Sequence, residues 1–565
     1  MKNRFLLLLM AVLFISSCSD NKKNGLLELI PADNDVVMVS DFKTIMESAG
    51  GSLEGSKISL PSTIQDLLPH QLCSSIDDTN DFLKNSGIDI EACAMVVNYD
   101  AKSPIYIFNL TDRKKFVKTI EDEGFREDSD KDGLVVYSKK TYDGWEPEWD
   151  EFGYFAVGDN YAYWIQSVSR RSDMEPVKDL YRFAEKAKDD NFASTTSGKY
   201  IMQGNAGGAA FAWPKEAKRE LRRSEVPSEF LSIFDGHLCM YANLTENKME
   251  IVSTVFDENG KELDIAKLYK DYFDTSATIN AKALQLLGKD EYVIYAISLK
   301  NVNWDKMADI VANQARLSRS DRAQMDAVMS YLQKIDGTIA MGFGFNNGFK
   351  SIANLGQEKD MLEQFSATMV IETKEGKTKQ IIENMKGFLE SGGISFVENE
   401  TGFTISDIDR SFPGTIYVKA VDKFIAIANH PIKPTNDNHL VNNSDISNHS
   451  VAIYAELDKN NAFAREMNID NSIKMAIGCK PSSMNLSITF EIDGNDGTGF
   501  LTKVFNIASK VMTNSKDIIE DYFGSSYDYS DYDYDDDYVT CDSVAVDSAI
   551  ADTIVAYDYD YDYNY

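Results

Sequence analysis

Asp128-Ser-Asp130-Lys-Asp132-Gly133 sets carboxylates at alternate positions ahead of a glycine, which is how a calcium-binding loop opens. Position twelve of such a loop should be a bidentate glutamate, but here it is Lys139, whose charge repels a cation. The expectation is a solvated turn from a helix into the strand Leu134 to Ser138, with Asp128, Asp130 and Asp132 as weak calcium candidates. Shortly after, Tyr142 to Phe152 mixes Trp145 and Trp149 with Glu146, Glu148, Asp150 and Glu151. Aromatic platforms beside carboxylates hold sugars, and two acids fixed across a cleft cleave glycosidic bonds. One hairpin loop cannot fix that separation. Trp145 and Trp149 are therefore candidates for glycan contact, against the plainer reading that both rings fold onto a sheet.

Other chemistry finds no support. Gly342-Phe-Gly344-Phe-Asn-Asn-Gly348 is an alternating strand and turn, with no Lys-Ser/Thr pair after it as a phosphate loop needs. Histidines 70, 237, 430, 439 and 449 lack metal-ligand spacing, and the last three share an Asn-rich connection that reads as surface. No Gly-x-Ser-x-Gly elbow or His-Glu-x-x-His appears. Cys73, Cys93, Cys239, Cys479 and Cys541 form neither a disulfide framework nor a zinc site, and Cys93 and Cys239 read as small core residues. Lys215, Lys218, Arg219, Arg222 and Arg223 make a basic helix, read as a solvated face that could dock an acidic partner or the chain's own tail. No catalytic residue, metal or cofactor is expected.

The elements that would position any site recur. Leu29 to Lys43 and Leu286 to Lys300 share a turn with Asp, an apolar strand and entry into a helix, at an offset of 257. Tyr106 to Thr111 leads into a helix bearing Phe116, Val117 and Ile120, as Met369 to Thr373 leads into one bearing Ile381, Ile382 and Met385. The hairpins Tyr154–Ile165 and Tyr417–Ala428 correspond, and each half closes with strands, an Asp/Gly/Asn turn and a helix. The second half adds a helical pair, with Ser320 a candidate cap for Met325, Val328, Met329 and Leu332. The expectation is an α+β fold of two tandem related halves, 27–282 and 283–523, mainly antiparallel sheets with helices packed on one face.

The ends set an address. Lys2 and Arg4 precede the apolar run Phe5 to Ile15, too short for a membrane span, which needs about 20 apolar residues. Ile15-Ser-Ser-Cys18 resembles a bacterial lipobox, so residues 1–17 read as signal, Cys18 as the lipidated first residue and 18–26 as an anchor linker. The net charge of −33 includes twelve Asp and no Lys or Arg in residues 525–565, and it disfavours nucleic acid as a partner. Residues 524–565 read as a disordered acidic Tyr/Asp tail. Within it, Asp542-Ser543-Val544, Asp547-Ser548-Ala549 and Asp552-Thr553-Ile554 resemble the O-glycosylation acceptor of the Bacteroidota, which marks Ser543, Ser548 and Thr553.

Ile30-Pro31-Ala32-Asp33 followed by the strand Val36 to Val39 resembles the start of a family of uncharacterised Bacteroidota lipoproteins, a likeness covering residues 27–512. That resemblance implies an architecture and an address, not a reaction. Ser19-Asp20 resembles part of the acidic surface-export tag of such proteins, from which Asn21, Lys22 and Lys23 depart. The expectation is an outer-membrane-anchored, non-enzymatic binding or assembly component whose envelope partner is unidentified, facing either the periplasm or the cell surface. A glycan-binding accessory lipoprotein and an unrecognised hydrolase are the alternatives.

Overall fold

The computed structural model describes residues 20–523, apart from 55–56, 60, 62–79, 82, 99–103, 141–151, 168–175, 224–230, 315–318, 346–364, 407–413, 437–438, 442, 462–463, 466, 484 and 495–496. The chain divides into two compact units, Met1–Ser515 and Lys516–Tyr565, and every described strand belongs to the first.

Branched and aromatic residues at alternate positions make most of the strands. The first set is β1 Val36–Asp41, β2 Ser52–Glu54, β3 Lys57–Ser59, β4 Ile88–Val97, β5 Ile105–Leu110, β6 Arg126–Lys131 and β7 Leu134–Lys140. It continues with β8 Phe152–Val157, β9 Tyr161–Ser167, β10 Gly207–Ala212, β11 His237–Leu244 and β12 Lys248–Phe256. The second set runs β13 Val293–Leu299, β14 Ile335–Phe345, β15 Phe365–Thr373, β16 Val397–Asn399 and β17 Gly402–Ser406. It ends with β18 Thr415–Val421, β19 Phe424–Ala428, β20 Val451–Leu457, β21 Ile473–Cys479 and β22 Leu486–Ile492. The larger helices are α1 Asp20–Glu28, α2 Phe42–Ser48, α3 Arg113–Asp122, α4 Pro176–Asp189, α5 Lys215–Arg223, α6 Trp304–Gln314, α7 Arg319–Leu332, α8 Thr378–Ser391 and α9 Phe500–Phe523.

Apart from the β2–β3 hairpin, the strands form one antiparallel sheet of 20. In the first set the bonded order is β6-β7-β8-β9-β5-β4-β1-β10-β11-β12. In the second it is β16-β17-β18-β19-β15-β14-β13-β20-β21-β22. Antiparallel pairing of β12 with β22, from Lys248↔Glu491 to Ser253↔Leu486, joins them. The fold is α+β, with helices around a large antiparallel sheet.

Over β4, β5 and β7 to β9 helices pack on both faces, where one covered face was expected. Along β7, Leu134 and Val136 pack with Leu180 and Ala184 of α4. Val135 and Tyr137 instead join Phe116 and Ile120 of α3. The period of two that makes a strand serves two cores when neither face meets water. Side chains also start the helices: Asp41 caps α2 at the amide of Thr44, and Asp112 caps α3 at the amides of Lys114 and Lys115.

Two local expectations change. The Asp128–Asp132 segment is no helix-to-strand turn but strand β6 and a tight hairpin, with Asp132 and Gly133 at φ of 55° and 81°. Residues 20–26 are not linker but the opening turns of α1, whose Leu26, Leu27 and the following Ile30 are fully buried. Lys23 is buried as well, its ammonium donating to the carbonyl of Gly204 at 2.6 Å.

Candidate functional site

Among the described residues, the fully or nearly buried carboxylates are Asp41, Glu291 and Glu372. Glu291 lies just before β13, and its Oε1 accepts from Thr368 Oγ1 at 2.7 Å and Ser366 Oγ at 3.2 Å. His430, just past β19, places Nε2 3.1 Å from the same oxygen, and the Gly288 amide donates to Oε2 at 2.8 Å. The hydrogen bond to Glu291 raises the His430 pKa above its ordinary value, against the opposing effect of burial. His430 is thus half-buried and paired, not the surface residue its Asn-rich surroundings suggested.

Three side-chain groups meet one carboxylate oxygen, and this limits the chemistry. A nucleophile relay needs the carboxylate on one imidazole nitrogen and the hydroxyl on the other. Here Nε2 faces both Glu291 and Thr368 Oγ1, the latter at 3.0 Å, while Nδ1 lies 3.4 Å from the Pro431 carbonyl. The cluster pins the entrance of β13 to the start of β15 and the exit of β19. Glycines make room: a Cβ at Gly342 would lie 2.1 Å from Glu291 Oε2, and one at Gly344 would lie 2.0 Å from the Asp290 carbonyl. The Gly-Phe-Gly-Phe alternation was the sequence signal for this cluster.

Glu372 accepts from the Thr338 amide at 2.8 Å and from Asn280 Nδ2 at 3.0 Å, and pairs with Lys423. It lies four residues along β15 from Thr368, about 13 Å at strand rise. With each carboxylate enclosed by its own donors, these two do not face each other across a cleft.

The sequence candidates lie elsewhere. Asp128, Asp130 and Asp132 are exposed along the β6–β7 hairpin, and among the described residues no cluster of three His, Cys, Asp or Glu could hold a metal. Cys18, Trp145, Trp149, Ser543, Ser548 and Thr553 lie outside the described residues. The basic helix is α5, where Arg222 pairs with Asp235 at 3.0 Å and Arg223 with Glu220 at 2.7 Å, so part of its charge is locally answered.

The second set of strands presents a different surface. On β13 Ile294 and Ala296 are buried, whereas Tyr295 and Ile297 are 45% and 36% exposed. Register carries this outward face across the sheet. Ile297 pairs with Val451, Val451 with Cys479 and Cys479 with Leu486, and Val451 and Leu486 are 40% and 37% exposed. In the next row Tyr295 pairs with Ile453, then come Ile477, Ile488 and Ile251 of β12, all half-buried. Neither row carries a charge, on a chain with 26% charged residues.

The reason is visible in the helices between strands. Between β1 and β4, α2 buries Phe42 and Met46 in the core that includes Phe108 and Trp164. Between β13 and β14, the pair α6–α7 leaves Val311, Val328 and Tyr331 exposed. On α6, Met307 and Ile310 pack instead against Tyr269 and Tyr272.

Among the described residues no helix is long and apolar enough to cross a membrane. No family model and no curated protein matches the chain. Two solved structures, titled crystal forms III and IV of TP0453, are similar at 10% and 12% identity. They cover 42% and 41% of this chain and 80% and 79% of their own, with TM-scores of 0.24 and 0.23, a likeness too low to bear on fold or role.

Proposed function

We propose that this protein is a non-enzymatic, outer-membrane-anchored lipoprotein that binds a partner of the cell envelope on the open apolar face of its second half. The observation that carries the binding role is that face: side chains of Tyr295, Ile297, Val451 and Leu486 reach water in adjoining rows. Contiguous exposed apolar surface of this kind marks interaction sites on soluble domains. The anchor is proposed from the lipobox at Cys18, and kinship to the uncharacterised Bacteroidota lipoproteins from Ile30 to Asp33. The halves are proposed to be a tandem duplication, supported by the matching bonded order of their ten strands.

A photoreactive residue in place of Tyr295, introduced in living cells, tests the binding role. A light-dependent adduct at Tyr295, absent from a control at exposed Lys118 of α3, is expected. Equal labelling at both positions, or none at Tyr295, overturns the reading.

A further inference from the structure

We infer that the open face holds the acyl chain of a membrane phospholipid. The inference rests on the reading of that face as a binding surface and names its occupant. The row Tyr295, Ile453, Ile477, Ile488 and Ile251 crosses four strand spacings, because β13, β20, β21, β22 and β12 are consecutive neighbours. At about 4.8 Å per spacing this part of the row is about 19 Å long, and register continues it onto half-buried Met341 of β14 and Met369 of β15. One leaflet of bilayer hydrocarbon is about 15 Å deep, so an extended acyl chain lies along the row with its length covered. The parallel row of Ile297, Val451, Cys479 and Leu486 forms the second side of the track.

Charge and hydrogen bonding choose between occupants. Protein interfaces carry about one hydrogen bond per 100–200 Å². These two rows offer a phenol and a thiol, and their backbone groups are engaged in sheet ladders on both sides of each strand. A second copy of the chain would bring another net charge of −33, which disfavours self-association on an uncharged patch. Hydrocarbon asks for no hydrogen bond and answers no charge. It gains from burying the apolar area the rows expose.

The test uses the mature chain from residue 18 with Cys18→Ser, which needs no detergent, and phosphatidylcholine vesicles containing a pyrene-acyl phosphatidylcholine. Withdrawal of labelled lipid should lower excimer and raise monomer emission, saturably in protein. Ile453→Asp and the more exposed Tyr295→Ser should each weaken this by tenfold or more, with circular dichroism unchanged. Vesicles should also slow maleimide alkylation of Cys479, which sits in the second row. No change in monomer emission overturns the inference, as does a change unaltered in Tyr295→Ser. Binding of the free fatty acid cis-parinaric acid without pyrene-phospholipid withdrawal overturns the phospholipid source. If lipid withdrawal fails while the Tyr295 photo-adduct forms with a protein in cells, the occupant is wrong and the binding role survives.

Discussion

Asp41 is fully buried at the head of α2, and its Oδ2 has no hydrogen-bond partner. Burial pushes its carboxyl up to about 7, with Glu91 and Glu47 adding to the rise and the Thr44 and Lys43 amides opposing it. Because the folded value lies above the unfolded value near 3.9, its contribution is full below pH ~4 and is lost as pH rises toward 7. Asp41→Asn keeps a capping side chain and removes the charge. Thermal unfolding should show Asp41→Asn more stable than the parent at pH 8 and similar at pH 4. His430 acts in the same direction over a higher window, since its raised value makes its contribution full below about 6.5 and lost as pH climbs through the folded value. His430→Gln should flatten stability above pH 6.5. Glu291→Ala strands several buried donors at once and should cost about 3 kcal/mol in denaturant unfolding.

Elements differ in how much of them the sequence displays. The valine-rich β1 and the apolar stripe of α3 were legible because period two and period 3.6 mark them directly. β6 was not: Arg-Glu-Asp-Ser-Asp-Lys has no apolar alternation, since it is an exposed edge strand held by pairing with β7. Its turn was legible in kind, as Asp132-Gly133 is a strong hairpin dipeptide, but the calcium-loop spacing concealed it. Gly133 sits at φ 81° with open space around it, so Gly133→Ala should cost about 1 kcal/mol through backbone strain alone. Urea unfolding would measure it, and a cost near zero would mean the turn relaxes. The Glu291 cluster joins residues 288, 291, 366, 368 and 430, and contacts that distant leave no periodic trace. The open face was hidden for another reason: Ile, Val and Met read as core whether or not a helix later covers them.

For the whole molecule, the proposed anchor lies close to the fold in sequence. One residue separates Cys18 from α1, so lipidation would hold the start of α1 within about 7 Å of the acylated backbone. Cys18→Ser should release the protein from membranes to the soluble fraction, read by fractionation of cells. Intact mass of native protein above that of the lipidated polypeptide would report the proposed sugars at Ser543, Ser548 and Thr553, and equality would remove them.

The β12–β22 seam has one more implication. Each strand ends its own bonded series of ten, and each would be a bare edge without the other. Two like edges meeting antiparallel obey a local dyad, the geometry by which separate identical chains become an isologous dimer. Under the proposed duplication, a gene encoding a single half would have made a sticky protein whose solution was to find its twin. Joining Phe256 to Val293 through the intervening segment turns that encounter into an intramolecular one. Concentration no longer decides whether the seam closes.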